Sequence, residues 1–281
     1  MVRGGTMNQF WQRFLRNRSA LIGLLVLLLV IAVAVFGPLF FPRGPFVLVA
    51  QPFLPPSGHY PLGTDMLGRS VLAGIVYGAR TSLLIGLSST ALAIALGVAI
   101  GGLAGYYGRW FDEGLMRLTE IFQTIPFFIF AILLVTVLTP SIESVVFAIA
   151  IVSWPPMARL VRGEIRALRG REFVQACLSL GMSDLRIIAI HILPNCLSSI
   201  VVTGSVMVAT AILTESSLSF LGLSDPNVIS WGFMVGAGRE FLQRAPWLSA
   251  IPGVAILVTV LAINLVGEGL NDALNPRLRN L

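Results

Sequence analysis

The residue types that do chemistry in enzymes are few in this chain, and they lie apart. His59 and His191 are its only histidines, and Cys177 and Cys196 its only cysteines. A zinc site needs N and S ligands that converge on one point, and these four sit on separate segments, so no metal is expected. Two cysteines cannot form a disulfide framework. No Ser-His-Asp, Cys-His or paired-carboxylate spacing stands out, so no catalytic residue is expected. Asp65 and Arg69 read as turn-forming and loop-docking residues rather than as a catalytic pair. All 19 basic residues are arginine. A phosphate-binding P-loop needs a lysine to reach the β- and γ-phosphates, and a chain without lysine cannot carry one. If it works with ATP, another chain must bind and hydrolyse the nucleotide.

Two features do carry a pattern. Arg159, Arg162, Arg166 and Arg169 recur at helical steps and share one face, while Val161, Ile165 and Leu168 line another. Such a face suits anionic lipid headgroups or an acidic partner. Glu215 is the second feature, an ionisable group near the end of an apolar run. At membrane depth such a group is a functional candidate by default, one that could line a polar pathway, with a buried structural hydrogen bond or a place just beyond the interface as the alternatives.

The elements that must position these residues follow from composition. The 281 residues are 56% hydrophobic and 11% charged, with a mean hydropathy of +0.88, against roughly 25% charged for a soluble domain. Such a chain has too little polar surface to cover one compact core in water. A charge at mid-bilayer costs roughly 2.5–3.5 kcal/mol, so charge-free runs mark spans. They occur at Ser19–Pro42, Thr81–Gly108, Ile121–Ile142, Ser144–Ala158, Ile187–Thr214 and Ala245–Gly267. The fourth reaches full length if Arg159 and Arg162 snorkel. The expectation is an all-α polytopic membrane protein with six transmembrane helices. Gly44–Thr64 is uncharged too, but its five prolines break the backbone, so it reads as an external loop.

The arginines test that map. With both termini cytoplasmic, 14 of the 19 fall inside and only Arg43, Arg69, Arg80, Arg239 and Arg244 outside, as the positive-inside rule requires. The pI of about 10.3 is then topological, and no nucleic-acid partner is expected. Ala32-Val33-Ala34 mimics a signal cleavage site, but the apolar run is too long and five spans follow, so it reads as an anchor. Gly97, Gly101 and Gly105 form a small-residue face for close helix packing. Asn264 and Glu268 read as interfacial capping and packing groups.

Between the fourth and fifth spans lies a cytoplasmic elbow. Phe173, Ala176, Cys177 and Leu180 stand at i, i+3, i+4 and i+7, giving a short helix an apolar stripe that a groove on another protein could accept. Gly181 fits a left-handed stop, Ser183 or Asp184 can cap the next helix, and Pro194 marks a bend at re-entry.

Here the residues carry a resemblance. Glu172-Phe173-Val174-Gln175-Ala176-Cys177, then Gly181, then His191-Ile192-Leu193-Pro194-Asn195, resembles the EAA loop of ABC-importer permeases. The preceding Ala158-Arg159-Leu160-Val161-Arg162-Gly163-Glu164 is similar to the dipeptide/oligopeptide/nickel branch. So are Leu62-Gly63-Thr64-Asp65-Met66-Leu67-Gly68-Arg69-Ser70, Gly105-Tyr106-Tyr107-Gly108, Glu215 to Leu223, Ser230-Trp231-Gly232 and Asn264 to Leu270. Their joint order, from about residue 10 to Arg277, is specific. Gln175 stands where the generic loop has Glu, Cys177 where it has Ala, and Asn275 where an Asp is common before Pro276-Arg277.

The resemblance implies a type I ABC importer permease fold in the cell membrane. It implies three kinds of partner besides the lipid bilayer itself: a second homologous permease, two ATP-binding subunits that hold ATP and Mg, and an extracytoplasmic substrate-binding protein. No cofactor is expected on this chain. Glu172, Phe173, Gln175, Ala176, Cys177, Leu180, Gly181, Leu193 and Pro194 would form the ATPase-coupling site. The chain would divide into a cytoplasmic segment 1–18, a first span 19–42, an external loop 43–80, a transport core 81–270 with the coupling loop at 159–195, and a cytoplasmic tail 271–281. Di- or oligopeptides are the expected cargo, with nickel or another small solute as the alternative. A membrane-embedded enzyme is the rival from another class, and a secondary transporter a second rival, for which no internal repeat is visible.

Overall fold

A computed structural model describes residues 14–274. Arg3, Arg13, Arg277, Arg279 and the string Asn275-Pro276-Arg277 lie outside the described residues, as does most of the two terminal segments. Within 14–274 the chain is helical, and its long elements are α1 (Arg18–Phe36), α2 (Val71–Tyr107), α5 (Ile142–Arg169), α7 (Asp184–Phe220) and α9 (Trp247–Leu274). Each is long and apolar enough to cross a membrane. Lipid offers no partner for a free backbone N–H or C=O, and a helix satisfies both internally.

The third expected span differs. Ile121–Ile142 is no single helix: α3 (Arg109–Thr124) and α4 (Phe127–Leu138) meet at an angle of 86°. Pro126 causes the break, because it lacks an N–H and forces Ile125 into extended backbone, φ −85° and ψ 128°. Among the described residues five helices are therefore long and apolar enough to cross a membrane, or six when the bent pair counts as one span. The segment 43–80 is not irregular throughout, since Ser70 caps α2 by accepting from the Ala73 N–H at 3.3 Å and residues 71–80, Arg80 included, are already helical. A third difference sits at Pro194. Instead of a break at that residue, the turn before it widens to a π-helix over Ile187–Ile192, and Asp184–Phe220 runs as one 37-residue element.

Helix directions follow from close contacts. A Cβ on Gly97 would meet Met157 and Ala158, one on Gly101 would strike the Ala158 carbonyl, and one on Gly105 would meet Arg162 and Ile165. Residue numbers rise together along both helices, so α2 and α5 run parallel, backbone against backbone, and the bent pair supplies the return between them. Gly86 against Ile212 and Gly204 against Ile94 make α7 antiparallel to α2. Asn17 caps α1 and its amide donates to Asp272 at 3.2 Å, so the first span begins where the last one ends. A short helix α8 (Trp231–Gly238) is wedged among α2, α7 and α9, with Gly232 against Ser216 and Gly236 against Phe220.

Replacing Gly101 with leucine places a branched side chain against the α5 backbone, where nothing can give. Overpacking of this kind costs about 3 kcal/mol. The purified variant should unfold at a lower temperature in detergent than the parent chain, while Gly114→Leu, facing open space, should not.

Candidate functional site

The expected elbow is present as helix α6 (Glu172–Ser179), joined to α5 by a turn at Gly170. Its C-terminus is a Schellman stop. Gly181 has φ +73°, its N–H donates to the Leu178 carbonyl at 3.0 Å, and the Met182 N–H donates to the Cys177 carbonyl at 3.2 Å. Gly181 thus occupies the left-handed position that glycine takes without strain.

The apolar stripe divides into two. Val174 and Cys177 are buried in a cluster with Tyr106, Val161, Ile165, Ile187 and Ile192. Phe173, Ala176 and Leu180 face outward, Leu180 being 81% exposed. Cys177 therefore belongs to the anchor and not to the outward face, because the inward pair repeats at i and i+3 while the outward set repeats at i, i+3 and i+7. Glu172 is exposed in the first turn. Gln175 folds back, its Nε2 donating to the Arg169 carbonyl at 3.2 Å, so it caps the end of α5. Leu193 packs partly against the same cluster, and Pro194 is exposed at the start of the regular α-helical part of α7. Ser183 sits at the N-cap of α7 without a side-chain bond, and Asp184 instead accepts from the Tyr106 hydroxyl at 2.8 Å.

The arginine face meets this chain's own groups. Arg162 makes a two-pronged ion pair with Asp112 of α3, through Nε to Oδ1 and through Nη2 to Oδ2 at 2.6 Å. Arg166 lies 3.9 Å from the same carboxylate, and Arg169 stacks 5.5 Å from the centre of the Tyr106 ring. Of the four residues expected to dock a partner, Arg159 is exposed and has no ion pair among the described residues. Asp112 was the missing acidic group. Its place in the first turn of an amphipathic stretch was visible in the sequence, but its distance of 50 residues from Arg162 was not bridged.

Glu215 lies at the other end of α7 and is 1% exposed. It accepts from Ser219 at 2.7 Å and from Ser82 and Ser216 at 3.4 Å. Ser82 in turn accepts from the Trp231 N–H at 3.2 Å, and the Trp231 indole donates to the Ile75 carbonyl at 2.9 Å. Of the readings left open for Glu215, the buried hydrogen bond is the one the geometry satisfies. Asp65 is a turn residue, as expected: its Oδ1 accepts from the N–H groups of Leu67 and Arg69, both at 2.8 Å.

Residues 97–280 match the family described as binding-protein-dependent transport system inner membrane component, and residues 6–56 match the N-terminal TM domain of oligopeptide transport permease C. The di/tripeptide transport system permease protein DppC of Pseudomonas aeruginosa is 38% identical over 100% of this chain and 95% of its own length. The oligopeptide transport system permease protein OppC of Bacillus subtilis is 38% identical over 95% of this chain and 88% of its own. Among solved structures, the inward-facing MetNI methionine ABC transporter aligns with a TM-score of 0.57 at 17% identity, covering 69% of this chain and 93% of that one. That likeness extends to the fold, a type I ABC importer permease. This chain is a multi-pass membrane protein that belongs to the family of binding-protein-dependent transport system inner membrane components.

Proposed function

We propose that this chain is a permease subunit of an ATP-driven importer of di- or oligopeptides. It forms half of the translocation pathway, beside a second, homologous permease. Two separate ATP-binding subunits hold ATP and Mg, and an extracytoplasmic binding protein delivers the cargo. Both termini and α6 face the cytoplasm, in line with the arginine distribution, and segments 1–18 and 271–281 lie on that side with them.

The observation that carries the reading is α6. Its outward stripe of Phe173, Ala176 and Leu180 is left exposed by the described residues, whereas its inward residues Val174 and Cys177 lock it to α2, α5 and α7. A stripe of that kind fits a groove on an ATPase, and the Schellman stop at Gly181 and the Gln175 cap hold it stiffly. Force applied there passes into two spanning helices at once. The names of the full-length relatives support peptides as the cargo. The encompassing experiment is reconstitution with the partner permease, ATPases and binding protein, in which ATP-dependent uptake of a labelled dipeptide is measured.

Four variants separate the parts of that assembly. Gly181→Val meets no neighbour within 4 Å, so its effect is confined to the backbone, where the left-handed conformation costs about 1–2 kcal/mol. ATP hydrolysis should continue while uptake per ATP falls, and unchanged uptake would count against the elbow. Ala176→Arg puts a charge on the outward stripe, and the ATPases should no longer co-purify with the chain. Asp112→Asn leaves Arg162 without its carboxylate and should lower uptake. Exchanging the charges in Asp112→Arg with Arg162→Asp should recover part of it, with a coupling of about 1–2 kcal/mol in a thermal-unfolding cycle.

A further inference from the structure

The string from Leu62 to Ser70 has no part in coupling, yet it is among the most tightly built stretches outside the spans. Thr64 is fully buried, donates to the Gln51 carbonyl at 2.7 Å and accepts from the Leu54 N–H at 2.9 Å. Gly68, at φ +82°, offers its carbonyl to the N–H groups of Val49 and Ala50. This frame forms one wall of a cavity of about 510 Å³, and α8 forms the other. The size falls within the roughly 300–1,000 Å³ of small-ligand sites.

Two charged groups line the cavity, Asp65 and Arg69. None of the three ion pairs among the described residues joins them. Arg69 is held with its guanidinium 5.0 Å from the centre of the Phe46 ring, and its Nε is buried with no hydrogen-bond partner among the described residues. A buried donor left unmade is costly, and the guanidinium fork matches a carboxylate. Asp65 spends Oδ1 on two backbone N–H groups, and no hydrogen bond reaches its Oδ2 among the described residues. Phe46, Met66, Phe233 and Met234 add apolar surface between and around the two.

We propose that this cavity binds a short zwitterionic peptide, its carboxylate on Arg69, its ammonium on Asp65 and an apolar side chain against Phe233 and Met234. The inference rests on the peptide-import reading above and deepens it: it places a cargo site on the permease itself, where the loop before α2 faces α8 and the first turns of α2 and α9. An opposed cation and anion that do not neutralise each other, set in a preformed frame, select a ligand carrying both charges. A metal ion would leave Arg69 unpaired, and a simple anion would leave Asp65 unpaired.

The test uses the assembled complex of this chain with its partner permease and ATPases, without binding protein, in lipid nanodiscs. Equilibrium dialysis measures retention of labelled Ala-Phe, its C-terminal amide and its N-acetyl form. The complex should retain Ala-Phe, while each blocked form and the Arg69→Ala complex should bind about tenfold more weakly or worse, the loss of one charged hydrogen-bonded contact. The blocked peptides read the site on the unaltered chain, so the result does not depend on the variant's folding. Equal binding of all three peptides overturns the proposal. So does absence of binding by a complex that still imports Ala-Phe when binding protein is added, which leaves the import reading standing; absence of import for any peptide under those conditions overturns the import reading instead. Finally, if Arg69→Ala binds Ala-Phe normally but no longer associates with the binding protein, the cavity is a protein contact and the peptide site is refuted.

Discussion

Backbone-to-backbone contact between α2 and α5 is the constraint on which the rest of the molecule depends. Three glycines at steps of four remove the side chains that would otherwise keep the two axes apart. In lipid there is no hydrophobic gain from bringing apolar helices together, so association rests on close packing and on the few polar contacts available. Because the two helices are parallel, the chain must cross back between them, and the bent α3–α4 pair does so. The same close approach brings the ends of α2 and α5 together where the elbow begins. Tyr106, Val161 and Ile165 then form the floor on which Val174 and Cys177 rest.

Polar groups complete what packing starts, and they lie near the ends of the long helices. Glu215 is enclosed by serines from α2 and from its own helix, which offsets the cost of removing a carboxyl group from water. That cluster also fixes α8, since Ser82 bonds both Glu215 and the Trp231 backbone. At the opposite end, Asp112 collects Arg162 and Arg166 and ties the amphipathic α3 to the last turns of α5. Ser199 donates to Glu164 at 2.7 Å and joins α5 to α7.

Much of the architecture was legible because lipid imposes a simple rule: an uncharged run of sufficient length that prolines do not interrupt satisfies its backbone only as a helix. Five spans, the glycine seam and the stop at Gly181 follow from residue type alone. The bend at Pro126 was not read, although the residue was in view, because hydropathy is blind to a missing N–H within an apolar run. Cys177 was assigned to the outward stripe because i and i+4 share a helical face; which face turns inward depends on the cluster beneath it, made by residues 10 to 71 positions away. The arginine face was seen but its acidic partner was not, since spacing within a helix says nothing about a charge on another. Likewise, only the folded loop shows Asp65 and Arg69 lining one cavity without pairing.

The two 37-residue helices, α2 and α7, are each roughly 55 Å long at 1.5 Å per residue, well beyond the hydrocarbon core of about 30 Å. They are antiparallel, and they are fastened to each other twice: by Ser82 and Glu215 near one extremity, and by Tyr106 and Asp184 at the other. A pair of beams pinned at both ends resists scissoring. Sliding one past the other would break a hydrogen bond at each end, which favours movement of the two as a single plank. The compliant joints of the subunit must then lie elsewhere, at the sharp corner before Phe127 and where α1 and α9 lean against that plank.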